Sequence, residues 1–138
     1  MKVLVLGASG LIGSAVAAHL VERSFEARAG ARRPDAARRL MPAFDWVAAD
    51  FRDLTTLDAW RPLLDDVDAV VNCVGALQDG AGESLKLAHD QGPSALFAAC
   101  EAMGIGRLIH ISAVGADEEA GTAYARSKRF TEQALQAT

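Results

Sequence analysis

The apolar run Val3-Leu4-Val5-Leu6 passes straight into Gly7-Ala8-Ser9-Gly10-Leu11-Ile12-Gly13, and a stretch with helical apolar spacing follows. A strand, a glycine turn and a helix in that order constrain the fold more than any other feature of the chain. Glycines separated by two residues let the backbone turn sharply off a strand, approach a ligand with no Cβ in the way, and pack the new helix close to the sheet. A helix beginning there offers unpaired N–H groups and the positive end of its dipole, which together seat a diphosphate. An incidental tight turn is the alternative, and the strand–turn–helix context favours the diphosphate. The expected ligand contacts are Gly7, Ser9, Gly10, Leu11, Ile12 and Gly13.

Strand-like and helix-like stretches then alternate to the end of the chain. Strands are expected near residues 2–6, 26–31, 45–49, 69–74 and 107–112, separated by segments whose apolar residues recur at helical spacing. The first helix should run over about 11–23 with Ile12, Val16 and Leu20 on one face. The fourth should run over about 84–103, turning Leu85, Leu96, Ala99, Cys100 and Met103 to the sheet and ending at Gly104. Pro34, Pro62 and Pro93 are read as lying at or near helix starts, where a missing N–H costs little. The run Ala69-Val70-Val71-Asn72-Cys73-Val74 is apolar nearly throughout, as expected of a strand covered on both faces. Right-handed crossovers then give an α/β fold: a doubly wound, Rossmann-like parallel sheet of about five strands in the order 3-2-1-4-5, with helices on both faces.

Length and charge narrow the partners. At 138 residues and 51% hydrophobic side chains the chain can bury one core, so residues 1–138 are read as a single domain. Lys and Arg total 14 against 18 Asp and Glu, a net charge of −4, which gives no general attraction to nucleic acid or an anionic membrane. The apolar runs are too short to span a bilayer, and a soluble, cytoplasmic protein is expected. Cys73 and Cys100 lack metal-ligand spacing and are read as reduced, buried and inert. His110 is read as a packed or edge side chain of its strand, Trp46 and Trp60 as core or helix–sheet packing, and Asp65, Asp66 and Asp68 as a solvated turn; no metal site is expected.

Which nucleotide is bound turns on the second and third strands. The end of the second strand faces the adenosine ribose in such a fold, and a carboxylate there would favour a free 2′-hydroxyl. This chain has Ala31-Arg32-Arg33, whose guanidinium groups suit a 2′-phosphate, with Ser9 as a further donor, so NADP(H) is favoured over NAD(H). The competing reading makes Arg32 and Arg33 the start of a solvated basic helix. Asp50 and Phe51, after the third strand, are placed to meet the adenine, Phe51 through its ring or backbone; alternatively Asp50 caps the next helix.

A second constellation stands at the other end of the chain. Ser112 closes the fifth strand, and Tyr124-Ala125-Arg126-Ser127-Lys128 opens a helix running to about residue 136. Tyrosine and lysine four apart share a helical face. An ammonium beside a phenol favours the phenolate, which readies a tyrosine to trade a proton with a carbonyl or alcohol. Ser112, at the carboxyl end of its strand, is placed to bond the same substrate oxygen.

With these residues in view the chain resembles the short-chain dehydrogenase/reductase superfamily, in its extended and atypical branches. The resemblance rests on Gly7, Gly10 and Gly13, on Asp50, on Asn72-Cys73-Val74-Gly75, and on Ser112, Tyr124 and Lys128, and it covers essentially the whole chain. It implies that Tyr124 is the general acid/base, that Lys128 binds the nicotinamide ribose and assists Tyr124, that Ser112 orients substrate, and that the residues Cys73, Val74 and Gly75 lie against the cofactor. The later half is also similar to NmrA-like proteins and to relatives of the 39 kDa subunit of respiratory complex I, some of which bind dinucleotide without turnover.

Departures from the pattern matter as much. Superfamily members usually continue well past this length into a substrate lobe, so the chain is expected to be a truncated member or half of something larger. The fifth strand would then be an edge that a homo-oligomer or a partner chain covers. Where the family often has asparagine on the fourth helix, this chain reads His89-Asp90-Gln91-Gly92, with His89 or Gln91 as the replacement. The loop over 78–83 is either a flap over the nicotinamide or a plain connection. Three functions stay open: an NADP(H)-dependent oxidoreductase acting on a small carbonyl or alcohol of unknown identity, a non-catalytic dinucleotide-binding module serving as a sensor or subunit, and a nucleotide-sugar epimerase or dehydratase fragment.

Overall fold

The computed structural model describes residues 1–76 and 84–138. The elements in chain order are β1 (Lys2–Leu6), α1 (Leu11–Glu22), β2 (Glu26–Ala31), α2 (Pro34–Leu40), β3 (Asp45–Ala48), α3 (Leu57–Leu64), β4 (Ala69–Asn72), a π-helical turn (Leu87–Gln91) running into α4 (Gly92–Ala102), β5 (Leu108–His110) and α5 (Ala123–Gln136). The strands form one parallel sheet in the order β3-β2-β1-β4-β5, the expected order. The loop over 78–83 lies outside the described residues.

Strand alternation divides the core. Leu4, Leu6 and Val70 turn to one face, where Trp60 and Leu64 of α3 and Leu96, Phe97 and Cys100 of α4 close over them. Val3, Val5, Ala29, Ala31 and Val71 turn to the other, packed with Ala17 of α1 and Ala37 of α2. A strand buried on both faces favours apolar side chains, which is why β4, buried at every residue, reads as an apolar run. Its one polar residue, Asn72, has both ends of its amide hydrogen-bonded, to His110 and to the Val74 N–H. Trp46 and Trp60 are core residues, as expected.

Four local expectations are corrected. Ile12 is 52% exposed, and Gly13 and Ala17 are the buried residues of α1, because only side chains this small let the helix lie close to the sheet. Pro62 stands inside α3 rather than at its start, since Thr56 caps that helix through Oγ1, which accepts the Ala59 N–H at 3.3 Å. The helix expected from residue 84 is interrupted by the π-helical turn before Pro93. Cys73 is only half-buried, whereas Cys100 is buried and its thiol is pushed up to about 12 by desolvation. Asp66 and Asp68 are held by Lys2: its Nζ reaches Asp66 at 2.5 Å and its backbone N–H reaches Asp68 at 2.6 Å.

Candidate functional site

The glycine loop shows why its residue types are required. Gly7 has φ +73°, a left-handed conformation that disfavours any Cβ, and a Cβ there would lie 3.0 Å from the backbone of Cys73 and Val74. The Gly10 N–H donates to the Gly7 carbonyl at 3.0 Å and closes the turn. A Cβ on Gly13 would stand 2.2 Å from that same carbonyl oxygen, so the first turn of α1 packs directly on the loop. No side chain caps α1. Its first N–H groups are therefore free for an anion, and a cradle open to backbone approach, with a helix end behind it, fits a diphosphate.

One cleft runs from this loop along the carboxyl edge of the sheet. Among its lining residues are Gly7, Ser9, Gly10, Arg32, Asp50, Phe51, Cys73, Val74 and Gly75, which are nine of the positions expected from sequence. Gly13 lies beneath the loop, Leu11 and Ile12 project to solvent at 90% and 52% exposure, and Arg33 stands at the amino end of α2. The lining also includes Arg52, Ser84, Leu87 and Ala88, which sequence reasoning missed. Arg52 was legible as a cation two residues from Asp50.

Asp50 does not cap α3. Its carboxylate is gripped by Arg52, with Nε 3.0 and 2.9 Å from its two oxygens, and it also accepts the Arg52 backbone N–H at 3.0 Å. That bonding holds its carboxyl below the usual range against the opposing effect of burial. The Phe51 ring packs edge-on against Trp60 at 5.5 Å, and the residue is buried in the core while also lining the cleft.

Ser112, Tyr124 and Lys128 are not among the described residues that line this cleft; Lys128 approaches it at Gly75. Thr122 caps α5 by accepting the Ala125 N–H at 3.0 Å, which sets Tyr124, Ser127 and Lys128 in its first turns. Lys128 is 3% exposed; its Nζ donates to the Ile111 carbonyl at 2.8 Å, and burial pulls its ammonium below the ordinary lysine value. A Cβ on Gly75 would lie 3.6 Å from that Nζ. Residues 73–75 therefore touch the glycine loop at one end and the lysine at the other. Ser112 Oγ is buried and, among the described residues, has no hydrogen-bond partner. Tyr124 is half-buried and meets the His89 ring edge-on at 5.6 Å. His110 accepts from Asn72 Nδ2 through Nδ1 at 3.2 Å and packs against Phe97, the packed role expected of it. Among the described residues no group of three metal-ligating side chains converges, and no helix is long and apolar enough to cross a membrane.

Comparison with known proteins defines the class. A family described as NAD(P)H-binding matches residues 7–138, and the chain belongs to it. Among solved structures it is similar to a putative NAD-dependent epimerase/dehydratase from Bacillus halodurans, at 25% identity and TM-score 0.82, covering 100% of this chain and 65% of that one. It also resembles yeast methylglyoxal/isovaleraldehyde reductase complexed with NADPH, at 15% identity and TM-score 0.78, covering 99% and 52%. A third likeness is to the Bordetella bronchiseptica enzyme WbmH in complex with NAD+, at 23% identity and TM-score 0.77, covering 99% and 52%. The chain thus spans about half to two thirds of the length of these structures. No curated protein matches it. The molecule is an NAD(P)-binding Rossmann domain with neighbours among short-chain dehydrogenases and epimerase/dehydratases.

Proposed function

We propose that this chain acts as an NADP(H)-dependent oxidoreductase of short-chain type, exchanging hydride between the nicotinamide and a small carbonyl or alcohol. The observation that carries the reading is the short backbone bridge of residues 73–75, which joins the diphosphate cradle at Gly7 to Lys128 at Gly75. The bound dinucleotide supplies the hydride. Tyr124 supplies or takes the proton at its phenolic oxygen, Lys128 holds the ribose and the charge beside that phenol, and Ser112 bonds the substrate oxygen. A serine hydroxyl buried without a partner is a group for which a ligand oxygen would provide one. The preference for NADP(H) rests on Arg32, which lines the cleft where β2 ends.

A dinucleotide-binding module without turnover is the second reading, favoured by the absence of Ser112, Tyr124 and Lys128 from the described residues that line the cleft. Turnover of a panel of aldehydes, ketones and alcohols by the wild type and by Tyr124→Phe separates the two. The oxidoreductase reading predicts that the substitution lowers kcat by about 10²-fold or more, with dinucleotide affinity held within about threefold. Equal turnover by both proteins would remove Tyr124 from the chemistry, and no turnover by either, with dinucleotide bound, would leave the module.

A further inference from the structure

His89 is fully buried between the two halves of the site, and both ring nitrogens are engaged. The Ala76 backbone N–H donates to Nε2 at 3.1 Å, so Nε2 carries no proton. Ser127 Oγ lies 2.7 Å from Nδ1 and also 2.7 Å from the Tyr124 carbonyl. A carbonyl can only accept, so the hydroxyl proton goes to Tyr124 and Nδ1–H donates to Ser127 Oγ. One chain of hydrogen bonds thus runs from the Ala76 N–H through His89 and Ser127 to the Tyr124 carbonyl, which accepts the last of them. The main chain adds another tie. Pro93 has no N–H to give the carbonyl four residues earlier, and that carbonyl, on His89, instead accepts from Thr131 Oγ1 of α5. The π-helical turn at Leu87–Gln91 is the local widening that accommodates this exchange.

We propose that His89 is a positioning residue: as a neutral imidazole in the Nδ1–H form, it clamps the backbone that follows β4 to α5, fixing the spacing between the diphosphate cradle and the Tyr124–Lys128 helix turn. The proposal rests on the dinucleotide reading of the cleft. Its geometry is direct, because a Cβ on Gly75 would touch both His89 Nε2, at 3.4 Å, and Lys128 Nζ. Among the described residues the titratable groups near the ring are Lys128 and Tyr124 from α5 and His110 from β5, and burial, then the Lys128 charge, depresses the His89 pKa to about 4, which keeps the ring neutral. With both nitrogens committed, the ring cannot also shuttle protons to Tyr124. Its place in the mechanism is therefore distance, not proton transfer.

The test combines imidazole ¹⁵N NMR with dinucleotide titration. His89 and His110 should show opposite neutral tautomers, because the Asn72 amide donates to Nδ1 of His110 and leaves its proton on Nε2. The Nδ1–H signal should disappear in His89→Gln. Affinity for NADPH at neutral pH should fall about tenfold in His89→Leu, which strands the Ala76 N–H, and return to within about threefold of wild type in His89→Gln, whose amide oxygen can accept it. Should His89→Leu fail to fold, Ser127→Ala keeps the ring and its Ala76 tie but removes the link to α5: the Nδ1–H tautomer should persist, because Ala76 still occupies Nε2, while NADPH affinity should fall about tenfold, and unchanged affinity would likewise overturn the clamp. An Nε2–H tautomer at His89, or unchanged affinity in His89→Leu, overturns the clamp. Failure of the wild type to bind either NADPH or NADH, with the tautomers as expected, would instead overturn the dinucleotide reading on which it rests.

Discussion

Arg32 and Arg33 are neighbours in sequence and differ in placement. Arg32 lines the cleft at the end of β2, while Arg33 stands at the amino end of α2, because leaving an extended strand turns successive side chains to opposite sides. A 2′-phosphate at the ribose end would meet Arg32, with Arg52 across the cleft on the Asp50 carboxylate. Charge-assisted bonds to phosphate are worth about 1.5–3 kcal/mol. Arg32→Glu should therefore weaken NADPH binding by about tenfold or more and leave NADH within about threefold, measured by fluorescence titration. An equal loss for both cofactors would place Arg32 outside phosphate recognition. The residues fixed by backbone need, Gly7 and Gly13, were legible from spacing alone. Side-chain pairings such as Asp50 with Arg52 were not, since a helix cap and a salt bridge both begin with the same aspartate.

Among the elements, the run from Leu87 to Ala102 departs most from its sequence pattern. Its apolar spacing is helical throughout, and Pro93 alone signals the interruption: read as lying at or near a helix start, it stands in the first turn of α4, directly after the π turn that widens the helical path. Gly92 occupies the tight point of this path. A Cβ there would stand 2.3 Å from the Phe51 ring and 2.6 Å from the Leu87 carbonyl, and the ring is itself held against Trp60. Gly92→Ala should cost about 1–3 kcal/mol of stability, read from denaturant midpoints at constant slope. Stability equal to wild type would show that the phenyl ring and the helix can part without strain. β4 and β5 end at Asn72 and His110, short of the expected bounds, although the Cys73 N–H still donates to the Leu6 carbonyl and the Ile111 N–H to the Asn72 carbonyl, each at 3.0 Å.

At the scale of the molecule, strand order follows from handedness and burial. Alternating strands and helices joined by right-handed crossovers leave few arrangements, and 3-2-1-4-5 is the simplest. The two-faced core also carries a pH dependence that no local pattern shows. His89 and His110 are both depressed from 6.5 to about 4, chiefly by burial and then by Lys128. With folded values below the unfolded one, their contribution to stability is complete above pH 6.5 and is lost as the pH falls toward 4, because the unfolded chain takes up the protons first. Each histidine adds a slope of up to about 1.4 kcal/mol per pH unit in that window. Denaturant melts at several pH values should show the loss, and His89→Gln should reduce the slope; a flat profile between 6.5 and 5 would contradict the burial of both rings as neutral species. The central claim is that the amino-terminal turn holds a dinucleotide by its diphosphate, and the direct measurement is titration of NADPH and NADH into the wild type and Gly13→Ala, whose new methyl would strike the Gly7 carbonyl. Saturable binding by the wild type, weakened at least about tenfold in a variant that still melts cooperatively, is the result expected. No binding by the wild type, or equal binding by both proteins, would contradict it.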